Sequence, residues 1–245
     1  MIRIAAVGDV HLAPDASGHL RPALEELGDC ADLLLLAGDL TKHGTVEEAE
    51  VVAREFGGLA VPVVAVLGNH DHHSDLGDEL STVLSDAGIT VLEGNGIVLD
   101  VSGTKVGVAG VKGFGGGFAG KCASAFGERE MKAFVNHTAE VSDQLGKALD
   151  GLDADVRVAL THYAPVKETL RGEPLEIYPF LGSYLLAEAI DKAHADIAFH
   201  GHAHAGTEHG MTAGGVRVRN VAQPVIRSAY KVYCLEPAEL HQAVS

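Results

Sequence analysis

Five apolar runs in this 245-residue chain stop at polar side chains able to do chemistry: Asp9 and His11, Asp39, Asn69 and His70, His162, and His202 and His204. Carboxylate, amide and imidazole donors together make a mixed oxygen and nitrogen ligand set of the kind that holds borderline divalent metals. The donors suffice for two ions, in which case one carboxylate must bridge. Asp39 suits that place because it stands alone, whereas Asp9-x-His11 and His202-x-His204 can each project two side chains from an extended segment. Gly8, Gly38, Gly68 and Gly201 precede four of the groups and let the backbone turn sharply there.

The elements that must position these groups are legible from periodicity. Val61 to Leu67 is rich in β-branched residues, too short for a helix and closed by Gly68, so it reads as a buried parallel strand. Ile4 to His11, Leu33 to Asp39, Val156 to His162 and Ile197 to His204 repeat the pattern. Ligands of open α/β sheets bind outside the carboxyl ends of strands, where all these polar residues fall. Between the strands, Leu20, Leu24 and Leu27 predict a helix with Pro22 in its first turn, and Thr45 with Glu48 forms a capping box for a second, with Ala49, Val52 or Ala53, and Phe56 on its apolar face. Leu76 to Ala87 predicts a third.

The period then changes. Ile89 to Leu92, Ile97 to Val101 and Lys105 to Ala109 predict three consecutive antiparallel strands, and Gly110 to Ala123 is glycine-rich enough to predict an irregular loop near the site. Met131 to Leu149 carries the longest helical pattern. A second long loop follows His162, a helix lies near Ser183 to Ala193, and Val216 to Val221 and Tyr230 to Leu235 predict strands of the second half-sheet before a short polar tail. No linker interrupts the chain, which predicts a single domain over 1–245 and an α/β fold.

Bulk properties narrow the partners. A formal net charge of -16 opposes non-specific binding to nucleic acid or anionic membrane, although bound cations would locally reverse the field for a small phosphorylated substrate. No run reaches the ~18 apolar residues of a membrane span. Met1-Ile2-Arg3-Ile4 enters a strand directly without a signal-peptide pattern, and Cys30, Cys122 and Cys234 form no CxxC pair, so a reducing cytoplasm is the expected setting.

Gly8-Asp9-Val10-His11, Gly38-Asp39, Gly68-Asn69-His70-Asp71, Thr161-His162 and Gly201-His202-Ala203-His204, in this order, resemble the calcineurin-like metallophosphoesterase superfamily. The resemblance implies a four-layer α-β-β-α sandwich of two mixed β-sheets flanked by helices. It implies one metal on Asp9, His11, Asp39 and His204 and a second on Asp39, Asn69, His162 and His202; donors of these types suit Mn, Fe and Zn alike. Two such ions ~3.5 to 4 Å apart would activate a bridging hydroxide for attack on phosphorus. His70, adjacent to a ligand, is the candidate general acid; Asp71 would orient it or cap the next helix.

Gly38-Asp39-Leu40-Thr41-Lys42 lacks the Asp-Arg pair of the Ser/Thr protein phosphatases and resembles the bacterial branch of cyclic-nucleotide phosphodiesterases and small-molecule phosphoesterases. The expected activity is hydrolysis of small phosphomonoesters or phosphodiesters. The alternatives are a dedicated cyclic-nucleotide phosphodiesterase and, from another class, a non-catalytic scaffold on the same fold.

Other polar residues carry plainer readings. His19, His137, His194, His209 and His241 read as surface groups, His200 as structural, and His72 and His73 as non-ligands that follow the motif. Thr41 and His43 belong either to the pocket or to a loop. Tyr163, Lys167 and Arg171 either recognise substrate or are solvated, and Phe114 and Phe118 either stack on a ring or, the favoured reading, anchor the glycine-rich loop.

Overall fold

The structure, a computed structural model, describes residues 1–236. The predicted polar tail and His241 lie outside the described residues. In chain order the strands are β1 (Ile2–Val7), β2 (Leu33–Ala37), β3 (Val63–Val66), β4 (Ile89–Val91), β5 (Asn95–Val101), β6 (Thr104–Val111), β7 (Gly117–Phe118), β8 (Lys121–Cys122), β9 (Val156–Thr161), β10 (Ile197–His200), β11 (His209–Met211), β12 (Arg217–Asn220) and β13 (Lys231–Leu235). The helices are α1 (Arg21–Leu24), α2 (Leu27–Cys30), α3 (Val46–Phe56), α4 (Gly77–Asp86), α5 (Arg129–Asp150), α6 (Tyr178–Leu181), α7 (Tyr184–Lys192) and α8 (Gln223–Ile226).

Two mixed sheets face each other. The first has the order β13-β1-β2-β3-β4 and the second β11-β12-β10-β9-β6-β5. Side chains alternate across each strand, so odd and even positions serve different layers. Ile2, Ile4, Leu33, Leu35, Val64 and Val66 meet Val108, Val158, Leu160 and Phe199 of the second sheet in a shared core. The intervening Val7, Leu34, Leu36 and Ala65 pack under Leu24, Leu27, Val52, Phe56 and Leu84 of the helices. On the far side Ala109, Ala159, Ala198 and Val218 receive Val141, Leu145, Leu149, Leu186 and Ile190 from α5 and α7. The result is the four-layer α-β-β-α sandwich, and strands covered on both faces explain their unbroken apolar sequence.

The capping box of α3 is present in full, with Thr45 Oγ1 accepting from Glu48 N at 3.3 Å and Glu48 Oε2 accepting from Thr45 N at 3.4 Å. Among the described residues no helix is long and apolar enough to cross a membrane.

Several expectations are corrected. The predicted three-strand meander is split: β4 runs parallel to β3 in the first sheet, and only β5 and β6 pair antiparallel, in the second. The turn at 92–94 is therefore a crossing between sheets, held by Leu92 N to Ala65 O at 2.8 Å and Gly94 N to Gly110 O at 2.8 Å. β13 pairs antiparallel with β1 in the first sheet, not in the second. The single helix predicted through Leu20, Leu24 and Leu27 is two short turns, α1 and α2. The glycine-rich segment contains the small hairpin β7-β8, and the long loop after His162 contains two 3-10 turns and α6.

Candidate metal centre

Every predicted donor sits on a strand's carboxyl end or the turn just past it, and two sheets aim those ends at one another. Asp9 and His11 follow β1, Asp39 follows β2, Asn69 follows β3, His162 follows β9, and His202 and His204 follow β10. Asp9, His11, Asp39 and His204 each place one donor atom within 4.8 Å of the others, and so do Asp39, His162 and His202. Asn69 joins the second group, its Oδ1 3.0 Å from His162 Nε2. Asp39 is common to both: Oδ1 lies 3.3 Å from His162 Nε2, and Oδ2 lies 3.8 Å from His11 Nε2.

Local backbone is bent to achieve this. Asp9, His11, Asp39 and His202, four of the eight described non-glycine residues at positive φ, hold φ of 57°, 44°, 50° and 70°, a region that costs about 1 to 3 kcal/mol per residue. Gly38, with φ 79°, could not carry a Cβ, which would stand 2.7 Å from His162 Nδ1. A Cβ at Gly68 would collide with the Asp39 carboxylate.

The donors fit cations. Asp9 Oδ1 lies 2.9 Å from His204 Nε2, and that nitrogen lies 3.4 Å from His11 Nε2, two imidazole nitrogens converging on a carboxylate. Three supports sit behind them. His162 Nδ1 donates to Ala37 O at 2.9 Å, leaving Nε2 for the site, which is how ligating imidazoles are ordinarily oriented. His202 N donates to both Asp9 oxygens at 2.9 Å. His70 N donates to Asp39 Oδ1 at 2.8 Å.

Electrostatics follow from the crowding. Burial opposes charge on both Asp39 and His162, yet their mutual attraction outweighs it: Asp39 is held well below the usual carboxylate range, and His162 is pushed up to about 9. Burial and the charge of His162 push His202 down to about 3. The bond to Asp9 raises His204, while burial lowers His11. In metal-free protein the raised value of His162 contributes stability fully present below about pH 6.5, the ordinary imidazole value, and lost as pH rises through about 9. A cation needs His162 neutral, so metal uptake should expel a proton and apparent affinity should climb across that window. Calorimetric titration of Mn²⁺ into stripped protein checks this; a flat profile would contradict an ionised His162–Asp39 pair.

His70 stands beside the first group, its ring centroid 4.5 Å from that of His11. Its Nδ1 donates to Lys42 O at 2.8 Å, so the backbone carbonyl rather than Asp71 orients the ring. Asp71 does something else. Fully buried, it accepts from Leu40 N at 3.2 Å, Thr41 N at 2.8 Å, Thr41 Oγ1 at 2.6 Å and Gly68 N at 2.8 Å, tying the turn after β2 to the turn after β3. Nor does it cap α4, whose N-cap is Leu76. Burial raises its pKa. Asp71→Ala would strand four donors and should destabilise the fold by about 3 kcal/mol or more in urea unfolding; a loss under about 1 kcal/mol would remove this clamp role.

The plainer readings sort as follows. His72 and His73 belong to neither donor group. His200 is buried between Gly201 O at 2.7 Å and Thr169 Oγ1 at 2.8 Å, a structural placement. His43 Nδ1 lies 2.9 Å from Glu48 Oε1, and Thr41 serves the Asp71 clamp, so both belong to the loop. Phe118 packs with Ala164, Leu170, Leu181 and Ala203, which anchors the glycine-rich segment. Two residues that periodicity did not single out emerge here: Lys112, beside the second donor group, and Phe180, whose carbonyl oxygen lies 3.3 Å from His202 Nε2. A cation one residue past the end of a strand was the signal for the first; the second carried none.

Comparison with known proteins came to the same fold. A phosphopantetheinyl hydrolase from Mycobacterium tuberculosis superposes with a TM-score of 0.67 at 17% identity, over 96% of each chain. A Staphylococcus aureus protein described as a "putative 5'-nucleotidase", in complex with alpha-ketoglutarate, gives 0.57 at 18% identity over 89% of this chain and 48% of that one. The Plasmodium protein GAP50, described as the anchor in the inner membrane complex, gives 0.54 at 12% identity over 91% and 72%. No curated protein matches. The sequence profile of calcineurin-like phosphoesterases matches residues 2–206, while β11, β12 and β13 beyond it complete the edges of both sheets. A match of that extent, laid over converging Asp and His donors, means that the chain belongs to the calcineurin-like phosphoesterase family.

Proposed function

We propose that this protein is a metal-dependent hydrolase of small phosphomonoesters or phosphodiesters, working with two cations of the Mn, Fe or Zn kind. The observation that carries the reading is the pair of donor groups sharing Asp39, with His70 alongside. Asp9, His11, Asp39 and His204 would hold one ion; Asp39, Asn69, His162 and His202 would hold the other. When bound, the pair supplies an activated water and neutralises charge that builds on the phosphoryl oxygens.

The chain's own residues do the rest. Bonds from His162 Nδ1 to Ala37 O and from His202 N to Asp9 keep the donors aimed before substrate arrives, so little reorganisation is needed. A water oxygen bonds to phosphorus, its proton passing to solvent, in line with the ester bond that breaks. With Nδ1 committed to Lys42 O, His70 carries the transferable proton on Nε2 and delivers it to the departing oxygen. Asp71 supports the step at one remove, by clamping together the turns that carry Asp39 and His70.

The test is an assay with Mn²⁺, Fe²⁺ or Zn²⁺ against p-nitrophenyl phosphate, bis-p-nitrophenyl phosphate and cyclic AMP. Hydrolysis of the first two supports this reading, and activity confined to cyclic AMP would favour a dedicated cyclic-nucleotide phosphodiesterase. Hydrolysis of none under any metal would sink it in favour of a scaffold. The cytoplasm is the proposed setting.

A further inference from the structure

We propose that Lys112 recognises the second negative charge of a phosphomonoester, so that this site selects terminal phosphoryl groups over bridged diesters. The inference deepens the hydrolytic reading above and rests on it.

Lys112 follows β6, and its carbonyl accepts from His162 N at 2.9 Å and from Tyr163 N at 3.0 Å, which pins it beside a candidate ligand. Its ammonium lies 5.3 Å from the centroid of Phe114 and 5.8 Å from that of Tyr163. The Tyr163 ring in turn stands 4.4 Å from the ring of His202 and 5.6 Å from that of His162. A single aromatic ring therefore separates the cation from two predicted donors of the second ion.

No close ion pair commits the charge. Lys105 pairs with Asp153 at 2.6 Å, Lys147 with Asp143 at 2.6 Å and Lys231 with Glu208 at 2.7 Å. Among the described residues no carboxylate forms an ion pair with Lys112; Glu93 Oε1 meets its backbone N instead, at 3.5 Å. Two ring faces hold a half-buried ammonium in position without satisfying it as a carboxylate would. Its charge is felt by Glu93 first, then by Asp39, and it also reaches His72, whose Nε2 is buried without a hydrogen-bond partner.

The substrate class follows from charge counting. A phosphodiester is a monoanion, whereas a monoester near neutral pH carries close to two charges, its second pKa being about 6. A third cation beside the ion pair adds most for the more highly charged species. The stem of lysine also reaches and adapts as a mobile point charge.

The experiment compares Mn²⁺-loaded wild type, K112M and K112R on p-nitrophenyl phosphate and bis-p-nitrophenyl phosphate, with thermal melts to establish folding. Expected in K112M is a fall of about 30-fold in kcat/KM for the monoester and a change within about 3-fold for the diester, K112R recovering to within about 5-fold. Calorimetric binding of inorganic phosphate should weaken about 10-fold in K112M, and K112Q repeats both measurements if the methionine variant unfolds. Equal losses on both esters, unchanged phosphate affinity, or a wild type that cleaves only the diester would each overturn the assignment. If wild type cleaves neither ester, the hydrolytic reading fails separately, and the calorimetry alone decides Lys112: weaker binding in the variant supports it, and equal or absent binding overturns it.

Discussion

Asp39→Asn should abolish turnover, lowering kcat by about 10³-fold or more, and should reduce bound metal from two equivalents to one or fewer. No other donor belongs to both groups. Its two oxygens face different imidazoles, Oδ1 toward His162 at 3.3 Å and Oδ2 toward His11 at 3.8 Å, so a single amide oxygen cannot serve both sides. The charge matters as much as the geometry, because a carboxylate buried at this depth is kept ionised only by what surrounds it. Asparagine retains one acceptor for His70 N, so the turn after β3 keeps its anchor and the fold should survive. Elemental analysis of metal-loaded variant alongside steady-state kinetics decides the matter: two retained equivalents, or a rate within tenfold of wild type, would show that Asp39 does not bridge.

For His70→Gln the expected loss is about 10²- to 10⁴-fold in kcat on an alkyl phosphate, with metal content unchanged. The separation of effects comes from the structure. His70 touches the centre through a backbone bond to Asp39 and an edge contact with His11, while its imidazole belongs to neither donor group. A proton donor matters most when the departing oxygen is basic. On p-nitrophenyl phosphate, whose phenolate leaves readily, the same variant should lose distinctly less, and this dependence on the leaving group separates acid catalysis from simple positioning. Equal losses on both substrates would reassign His70 to phosphate contact; loss of a metal would make it part of the coordination sphere.

How far the chain could be read without coordinates differs from one residue to the next. Asp9, His11, Asp39, Asn69, His162, His202 and His204 were legible because each stops an apolar run, and a strand buried on both faces leaves little other place for such groups. His200 was equally readable as structural, since alternation turns it away from its immediate neighbours, and it is buried against Thr169 Oγ1. Asp71 was not. Its identity is local, but its partners are Leu40, Thr41 and Gly68, two of them on another turn, and hydrogen bonds across 30 residues leave no trace in spacing. Lys112 is silent for a similar reason: nothing in Val-Lys-Gly-Phe says that the lysine will lie over Tyr163.

The allocation of strands follows the same logic. β4 and β5 are separated by a short turn, and short turns ordinarily join antiparallel neighbours. Here Leu92 belongs to the core between the sheets, and the chain crosses from one to the other rather than folding back. β13 reaches β1 from the far end of the chain because Tyr233 and Leu235 complete the same core beside Ile2 and Ile4.

The amino-acid order by itself determined which segments are buried strands and which polar groups end them, since periodicity and the cost of burying unpartnered polar atoms act over a few residues at a time. Only the tertiary structure decided which sheet each strand joins, that Lys42 rather than Asp71 orients His70, and that a lysine outside any close ion pair stands one ring from His202. Those outcomes depend on contacts between distant segments, and their energies arise only once the two sheets have closed on each other.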